Sequence, residues 1–223
     1  MQGVSLSCLC GLSFWQYHKL PDIACYDILY YDVRHIEFLF LTEGKRWQRD
    51  VRRVLMEFQK VIQIRESVRK FSDQEPATEQ IQYILEAGRL APTAFNKQPQ
   101  RIYVLKSEGA LSKMDRVHPC RYGAPVVMLV CSDKEAASHF QGGSSYLVDG
   151  TIAATHMMLA AADIGLDTCW AGVIDIEGTQ EAFGLADHIY PICFLDIGIR
   201  DKGFKGNAGN KKRNALDSMV TIL

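Results

Sequence analysis

The sequence predicts an α+β fold, because segments with helical periodicity bracket a few strand-like segments without strict strand–helix alternation. Apolar residues recur at helical spacing over residues 47–64 and again over residues 146–164. Between them, residues 125–131 form an uninterrupted apolar run, as expected for a strand buried on both faces. The chain has 223 residues, of which 48% are hydrophobic, so it can bury a core as one domain with an appendage.

Start and stop signals bound the helices. The first helix ends near Ile64, and its polar face is basic, which is typical of a solvated face. The second follows Pro76, with Thr78 as a possible N-cap, and Pro92 stops it. The apolar stripe of the second helix is predicted to contain Ile81, Ile84, Leu85 and Leu90.

Residues 146–164 are predicted to form the central helix of the domain, closed by Gly165 as a C-cap glycine. Residues 177–183 are predicted to form a helical turn, and residues 203–210 a flexible loop before an extended tail. The stripe of the central helix is predicted to contain Val148, Ile152, Leu159 and several alanines. The remaining strands are predicted over residues 101–106, 168–173 and 189–199.

Two segments, residues 65–71 and residues 211–213, carry cationic groups suited to a phosphate ester. In residues 65–71, Arg65 and Arg69 offer planar guanidinium groups, and Ser67 adds a hydroxyl on the same side of an extended chain. Lys211 and Arg213 repeat this spacing near the C-terminus. The alternative for either cluster alone is a solvated basic turn.

In residues 91–99, a helix exit is followed by hydroxyl and carboxamide side chains that could match the alternating acceptors and N–H of a flavin pyrimidine ring. The alternative is a capped loop in which Asn96 serves its own backbone. A third segment, residues 165–172, ends in Gly172, where the absence of a side chain permits close backbone approach to a ligand.

Together, these segments resemble the FMN-dependent nitroreductase family, and the resemblance covers about residues 56–223. It implies a central mixed β-sheet flanked by helices, in an interlocked homodimer with two FMN sites at the interface. It also implies an oxidoreductase with a ping-pong reaction, in which NAD(P)H reduces FMN, which then reduces nitroaromatics, quinones or related acceptors. The chemistry would be that of the flavin, with no catalytic protein residue.

The resemblance also assigns cofactor contacts. The chain departs from the family at Thr93, where Ser is usual, and at Gln100, where an aromatic residue often follows the proline; these departures concern the substrate side of the site. The phosphate and ribityl contacts would be Arg65, Ser67, Arg69, Lys211 and Arg213, and the remaining cofactor-binding residues would be Pro92, Thr93, Asn96, Gln98, Ala171 and Gly172, with Asn96 and Gly172 on the ring.

Residues 1–55 are expected to be an N-terminal extension of the nitroreductase-like domain at 56–223, or even a translation-start artefact. The alternative is an ordinary first subdomain. The net charge of −1 gives no electrostatic basis for binding nucleic acid, and no apolar run reaches the length of a membrane helix. Seven cysteines without metal-ligand spacing indicate reduced thiols in a cytoplasmic protein, and the histidines form no predicted triad or metal site.

Two other functions remain open from the sequence. The same scaffold supports reductive dehalogenases and flavin-fragmenting enzymes. Alternatively, the protein could bind flavin without significant turnover.

Overall fold

The computed structural model describes residues 58–172, 174–206 and 211–223, and the backbone of residues 30–32 and 35–37. The chain divides into two units, Met1–Arg53 and Val54–Leu223. In the first unit, strands β1 (Tyr30–Asp32) and β2 (His35–Glu37) pair in antiparallel fashion. The predicted helical residues 47–57 lie outside the described residues.

The second unit is built on a four-stranded sheet with the order β3-β4-β8-β7. All three pairings between these strands are antiparallel. Parallel pairing occurs at an isolated bridge between Ser67 and Thr168, which adds the 65–71 loop to the sheet beside β7. The strands are β3 (Gln100–Leu105), β4 (Val126–Asp133), β7 (Asp167–Ala171) and β8 (Ile189–Gly198), and a separate hairpin contains β5 (His139–Phe140) and β6 (Gly143–Ser144).

Helices cover both faces of this sheet, which confirms the predicted α+β class. One face packs against α2 and α4, and the other against α3 and α5. The helices are α1 (Phe58–Ile64), α2 (Thr78–Leu90), α3 (Glu108–Val117), α4 (Tyr146–Asp163) and α5 (Ile176–Phe183).

Strand β4 lies at the centre of the core because both of its faces are covered. Met128 and Val130 belong to the cluster under α2 and α4, whereas Val127 and Leu129 belong to the cluster under α3 and α5. All four side chains are fully buried, which explains the uninterrupted apolar run in the sequence. The prediction of a strand buried on both faces is therefore confirmed, although its neighbours run antiparallel.

Two predicted helical stripes are wrong in part. Leu90 is 64% exposed and Val148 is 60% exposed, so neither belongs to the core. Helices α2 and α4 cross closely at Gly88, where a Cβ would lie 2.7 Å from the Sδ of Met157. Apart from Asp149 and Met157, the residues that α4 buries are small, namely Gly150, Ala153, Ala154, Ala160, Ala161 and Ala162.

The helix ends also differ in detail from the prediction. Ala77, rather than Thr78, is the N-cap of α2, and its backbone N–H donates to Oε1 of Gln80 at 2.9 Å. Helix α3 was not predicted; Ser107 caps it by accepting a hydrogen bond from the backbone N–H of Ala110. Among the described residues, no helix combines the length and apolar character needed to cross a membrane.

Candidate functional site

The segment after α1 is extended and lies beside β7. The backbone N–H of Val68 donates to the carbonyl oxygen of Thr168 at 2.9 Å, which fixes the register of the loop. Side chains alternate as in a strand: Glu66 and Val68 are buried, whereas Arg65, Ser67 and Arg69 lie on the more open side. The three residues predicted to face one ligand therefore do share one side of the chain.

Arg200, at the end of β8, locks this loop to the sheet. Its guanidinium pairs with the carboxylates of Glu66 and Asp167, and its backbone N–H donates to Oδ2 of Asp167 at 2.8 Å. The two carboxylates raise the pKa of Arg200, so it stays charged. The chain also passes so close to Glu66 that a Cβ at Gly206 would collide with its carboxylate. The 65–71 loop, β7 and the segment before the tail are thus held together by charged groups.

Basic residues from the loop and the tail converge at the end of α1. The Nζ of Lys211 donates to the carbonyl oxygens of Ile62, at 3.1 Å, and of Arg65. The pKa of Lys211 is lowered because its amine is partly desolvated and because Arg65 and Arg213 repel its charge. None of the three cations forms an ion pair with another residue in the described part of the chain. Glu66 partly opposes the lowering of the Lys211 pKa, but its carboxylate is paired with Arg200. The excess of positive charge here favours an anionic ligand.

A cavity of about 320 Å³ opens beside Arg65. It lies between the end of α1, the end of α4, the start of β7 and the end of β8. Arg200 and its two carboxylate partners line the cavity together with apolar groups. The lining residues are Ile64, Arg65, Glu66, Ala162, Gly165, Leu166, Asp167, Thr168, Ile199 and Arg200.

The 91–99 loop is anchored at the opposite end of α4 by a buried carboxylate. Oδ1 of Asp149 accepts the backbone N–H of Ala94 at 2.9 Å, and Oδ2 accepts the hydroxyl of Ser145 at 2.7 Å. The hydroxyl of Ser138 donates to the carbonyl oxygen of Ala94 at 3.1 Å. Asp149 is only 1% exposed, so these hydrogen bonds are shielded from water and hold the loop firmly.

Several polar groups of this loop are used within the loop itself. Oγ1 of Thr93 accepts the backbone N–H of Gln98 at 3.0 Å, and the Gln98 carboxamide donates to the carbonyl oxygen of Asn96 at 3.2 Å. The side-chain amide of Asn96 is exposed and makes no hydrogen bond with the residues that the structure describes. Pro92 is exposed at the exit of α2. Asn96 is thus the carboxamide that remains available to a ligand.

Gly172 follows β7 and is exposed, whereas Ala171 before it is buried in the core. The Nε1 of Trp170 would lie 2.6 Å from a Cβ at position 172, so the packed indole requires a glycine here. This local requirement differs from the predicted one, which was close approach of a ligand. The backbone of Gly172 is nevertheless open on its exposed side.

The two segments predicted to bind a ligand lie at opposite ends of α4. Asp149, which anchors the 91–99 loop, is in the first turn of α4, and Ala162, which lines the cavity with Arg65, is in the last turn. At about 1.5 Å per residue, thirteen residues of helix separate them by about 20 Å. The structure brings Arg65, Lys211 and Arg213 together but does not bring Asn96 to them.

The positioning roles of Asp149 and Arg200 were missed in the sequence. Asp149 falls in the first turn of the predicted central helix, where an acidic residue is common, so its sequence position alone does not indicate a buried anchor. Arg200 carries no local signal, because its partners Glu66 and Asp167 lie more than thirty residues away in sequence.

Asp196 is a buried carboxylate outside these segments. It lies in β8 opposite Cys169 of β7, is fully buried, and neither oxygen has a hydrogen-bond partner among the described residues. Burial raises its pKa to about 8, and the charge of Arg121 only partly opposes this.

The described residues contain no cluster of three or more metal-ligating side chains. Buried His118 accepts the backbone N–H of Cys120 through Nδ1 at 3.2 Å, which is a structural contact. The four described cysteines, Cys120, Cys131, Cys169 and Cys193, are free thiols, and Cys8, Cys10 and Cys25 lie outside the described residues.

The profile of the nitroreductase family matches residues 62–119 and 118–199 of this chain. The chain belongs to the nitroreductase family. A protein from Methanothermobacter thermautotrophicus, provisionally named NADH dehydrogenase/NAD(P)H nitroreductase, is 30% identical over 174 residues, covering 74% of this chain and 85% of the relative. The matched region contains the 65–71 loop, the 91–99 loop and Gly172, but not the tail cations Lys211 and Arg213.

Solved structures of nitroreductases share this fold. A nitroreductase family protein from Clostridium difficile is 31% identical, with a TM-score of 0.70, and the alignment covers 74% of this chain and 98% of that one. A provisionally assigned nitroreductase from Exiguobacterium sibiricum, crystallised in complex with FMN, is 21% identical with a TM-score of 0.67, covering 76% and 99%. The predicted family and fold class are confirmed.

Proposed function

We propose that this protein is an FMN-dependent oxidoreductase that takes electrons from NAD(P)H and passes them to nitroaromatics, quinones or related acceptors. The observation that carries this proposal is the convergence of Arg65, Lys211 and Arg213, none of which forms an ion pair with another described residue. Such a cluster suits the dianionic phosphate of a mononucleotide. Membership of the nitroreductase family, the names of its relatives and the FMN-bound neighbour support the same cofactor and donor.

The residues present fit both ends of FMN, namely its phosphate and its flavin ring. Arg65, Lys211 and Arg213 would hold the phosphate, and Ser67 and Arg69, on the same side of the loop, would bind phosphate or ribityl oxygens. The 91–99 loop would meet the ring through Asn96. The full set of proposed contacts is Arg65, Ser67, Arg69, Pro92, Thr93, Asn96, Gln98, Ala171, Gly172, Lys211 and Arg213.

The flavin would supply the hydride and electron chemistry, and the protein would bind and orient it. The exposed backbone at Gly172 is suited to donate a hydrogen bond that stabilises negative charge on the ring. No side chain of this chain is proposed as a general acid. NAD(P)H and the acceptor would use the same flavin face in turn, as a ping-pong mechanism requires.

A second copy of the chain would complete the site. The separation of about 20 Å along α4 keeps Asn96 away from the basic cluster in one protomer. In an interlocked homodimer, the loop of one protomer could face the cluster of the other. The exposed tail supports such an arrangement, because a monomer would leave its apolar side chains in water; they are Leu216, Met219, Val220, Ile222 and Leu223.

Residues 1–55 are proposed to be an extension of a cytoplasmic FMN-binding domain at 56–223. The division of the chain into units at Arg53 supports this arrangement. So does the family match, which begins at residue 62.

The test is the visible spectrum of the purified full-length protein with FMN. We expect a yellow protein whose flavin absorption bleaches on anaerobic addition of NADH or NADPH and returns when a nitroaromatic or quinone is added. A colourless protein that does not take up FMN contradicts the proposal. A yellow protein that never bleaches would be a flavin-binding protein without turnover.

A further inference from the structure

We propose that Phe95 is a specificity-determining residue, which forms an aromatic wall of the acceptor site and favours planar aromatic acceptors over small non-aromatic ones. This inference rests on the proposed function, because it names the acceptor class of the same flavin site. It is carried by the exposure of Phe95, by the conformation of its backbone and by its place in the 91–99 loop.

The phenyl ring of Phe95 is 86% exposed, although an exposed ring forgoes the free energy of burial. Its backbone is left-handed, with φ 51° and ψ 26°, a conformation that bulky residues rarely adopt. Asn96 and Gln98 also have positive φ, at 54° and 51°. Phe and Gln residues seldom adopt this conformation, whereas Asn tolerates it. Backbone strain of this kind is concentrated at ligand sites, which indicates a loop selected for what it presents.

The anchors of the loop keep Phe95 directed outward. On its N-terminal side, Ala94 is fixed through its N–H to buried Asp149 and through its carbonyl to Ser138. On its C-terminal side, the N–H of Lys97 donates to the carbonyl oxygen of Ala94 at 3.1 Å. Because both neighbours are held, the ring cannot turn into the core without breaking buried hydrogen bonds.

A second exposed ring lies on the segment that is bonded to this loop. Ser138 directly precedes β5, and Phe140 within β5 is 56% exposed. Ser138 also accepts, through its backbone carbonyl, the N–H of Ser145 at 2.9 Å, so the hairpin and the loop are fixed to the same helix end. This end of the domain therefore presents two aromatic rings from two anchored segments.

The adjacent residue connects this aromatic surface to the flavin. Asn96, whose free carboxamide is proposed to meet the ring, follows Phe95 directly, so both belong to the same part of the site. Gln100 does not offer an alternative wall, because its side chain is turned inward: Nε2 lies 3.5 Å from the carbonyl oxygen of Gly88, and Oε1 is buried. An aromatic acceptor stacked at the flavin would have Phe95 as its neighbour.

The test compares two acceptors in the FMN-loaded dimer. We expect Phe95→Ala to lower kcat/KM for a naphthoquinone by about 10-fold, the effect of losing an aromatic contact, chiefly through KM. The value for ferricyanide, which is small and not aromatic, should stay unchanged. Ala keeps a Cβ and therefore the same strained backbone. Phe95→Tyr should retain the wild-type ratio because it keeps the ring.

Tyr103→Ala is the matched control, since it removes a partly exposed ring from β3. An unchanged acceptor ratio in Phe95→Ala overturns this inference alone. Loss of FMN or of the dimer in Phe95→Ala also overturns this inference, because Phe95 would then contribute to cofactor binding or to the subunit contact. A wild-type protein that binds no FMN, or whose FMN is not reduced by NAD(P)H, overturns the proposed function and this inference with it.

Discussion

At the scale of single residues, one set of charged side chains holds the fold together, and another set is available to bind a ligand. Arg200 is satisfied by two carboxylates, and its contacts hold the loop in place. Arg65, Lys211 and Arg213 form no ion pair with the described residues. The pKa of Lys211 is lowered chiefly by desolvation of its amine and further by the charges of Arg65 and Arg213. Bringing like charges together without compensation is unfavourable, so a bound anion would stabilise this part of the chain.

The double substitution Arg65→Ala with Arg213→Ala should weaken FMN binding without unfolding the domain. Each charge-assisted hydrogen bond contributes roughly 1.5–3 kcal/mol, so losing two lowers the affinity by roughly 100-fold or more. Fluorescence titration with FMN measures the change. Arg116→Ala, an exposed cation on α3, is the control and should bind normally. Stoichiometric FMN retained by the double variant would remove these residues from the phosphate site.

Asp196 should make the protein less stable as the pH rises. Its folded pKa of about 8 lies above the ordinary value of 3.8, so the folded state holds a proton that the unfolded state has released between these values. Protonation therefore favours folding at low pH, and this contribution is lost as the pH rises towards 8. The loss is on the order of 1 kcal/mol per pH unit.

Asp196→Asn removes the titrating group at nearly constant shape. The difference in Tm between this variant and the wild type should therefore shift in favour of the variant from pH 5 to about pH 8. Thermal unfolding followed by circular dichroism at several pH values gives this difference. Parallel Tm curves would show that Asp196 does not titrate in this range.

At the scale of elements, α4 organises the candidate site because its two ends hold different parts of it. Its first turn holds the 91–99 loop through Asp149, and its last turn lines the cavity beside Arg65. Its middle packs closely against α2 through small residues. The helix thus holds the two segments at opposite ends, which is why we propose that a second copy of the chain completes the site.

Asp149→Ala should destabilise the domain, because it leaves the N–H of Ala94 and the hydroxyl of Ser145 without their acceptor. Leaving a buried polar group unsatisfied costs about 1–3 kcal/mol, which lowers the Tm by roughly 2–10 °C in a protein of this size. Asp149→Asn keeps one acceptor oxygen and should cost less. Thermal unfolding of the three proteins tests the order, and equal Tm values would contradict the anchoring role.

At the scale of the whole molecule, the two units have separate roles in our proposal. Residues 56–223 carry the sheet, both ligand-binding segments and the tail, and residues 1–55 are an extension. The family match, over residues 62–199, lies within the second unit.

Deletion of residues 1–55 should therefore leave a folded, flavin-loaded dimer. Size-exclusion chromatography with absorbance detection measures the oligomeric state and the flavin content together. The full-length protein is the control. Aggregation of the truncated protein would show that the extension is part of the folded domain.

Local signals determined which elements form. The uninterrupted apolar run predicted β4, and Pro92 and Gly165 marked the ends of two helices, because these effects depend on neighbours in the chain. The sequence motif around Arg65 and the amide-rich loop around Asn96 were also enough to predict the family, and the family match confirms this prediction. Only the tertiary structure decided which helix faces are buried: Leu90 and Val148 are exposed, whereas Gly88 and Met157 pack at the close crossing of α2 and α4.

The sequence thus determined the chemical inventory of this protein, namely its cations, carboxamides and glycines at their spacings. Tertiary structure alone decided how they are placed: Asp149 under the loop, Arg200 between two distant carboxylates, and the 91–99 loop and Arg65 at opposite ends of α4. The physical reason is that hydrogen bonds and charge pairs depend on distances in space. Residues far apart in sequence reach those distances only after the sheet and its helices have packed.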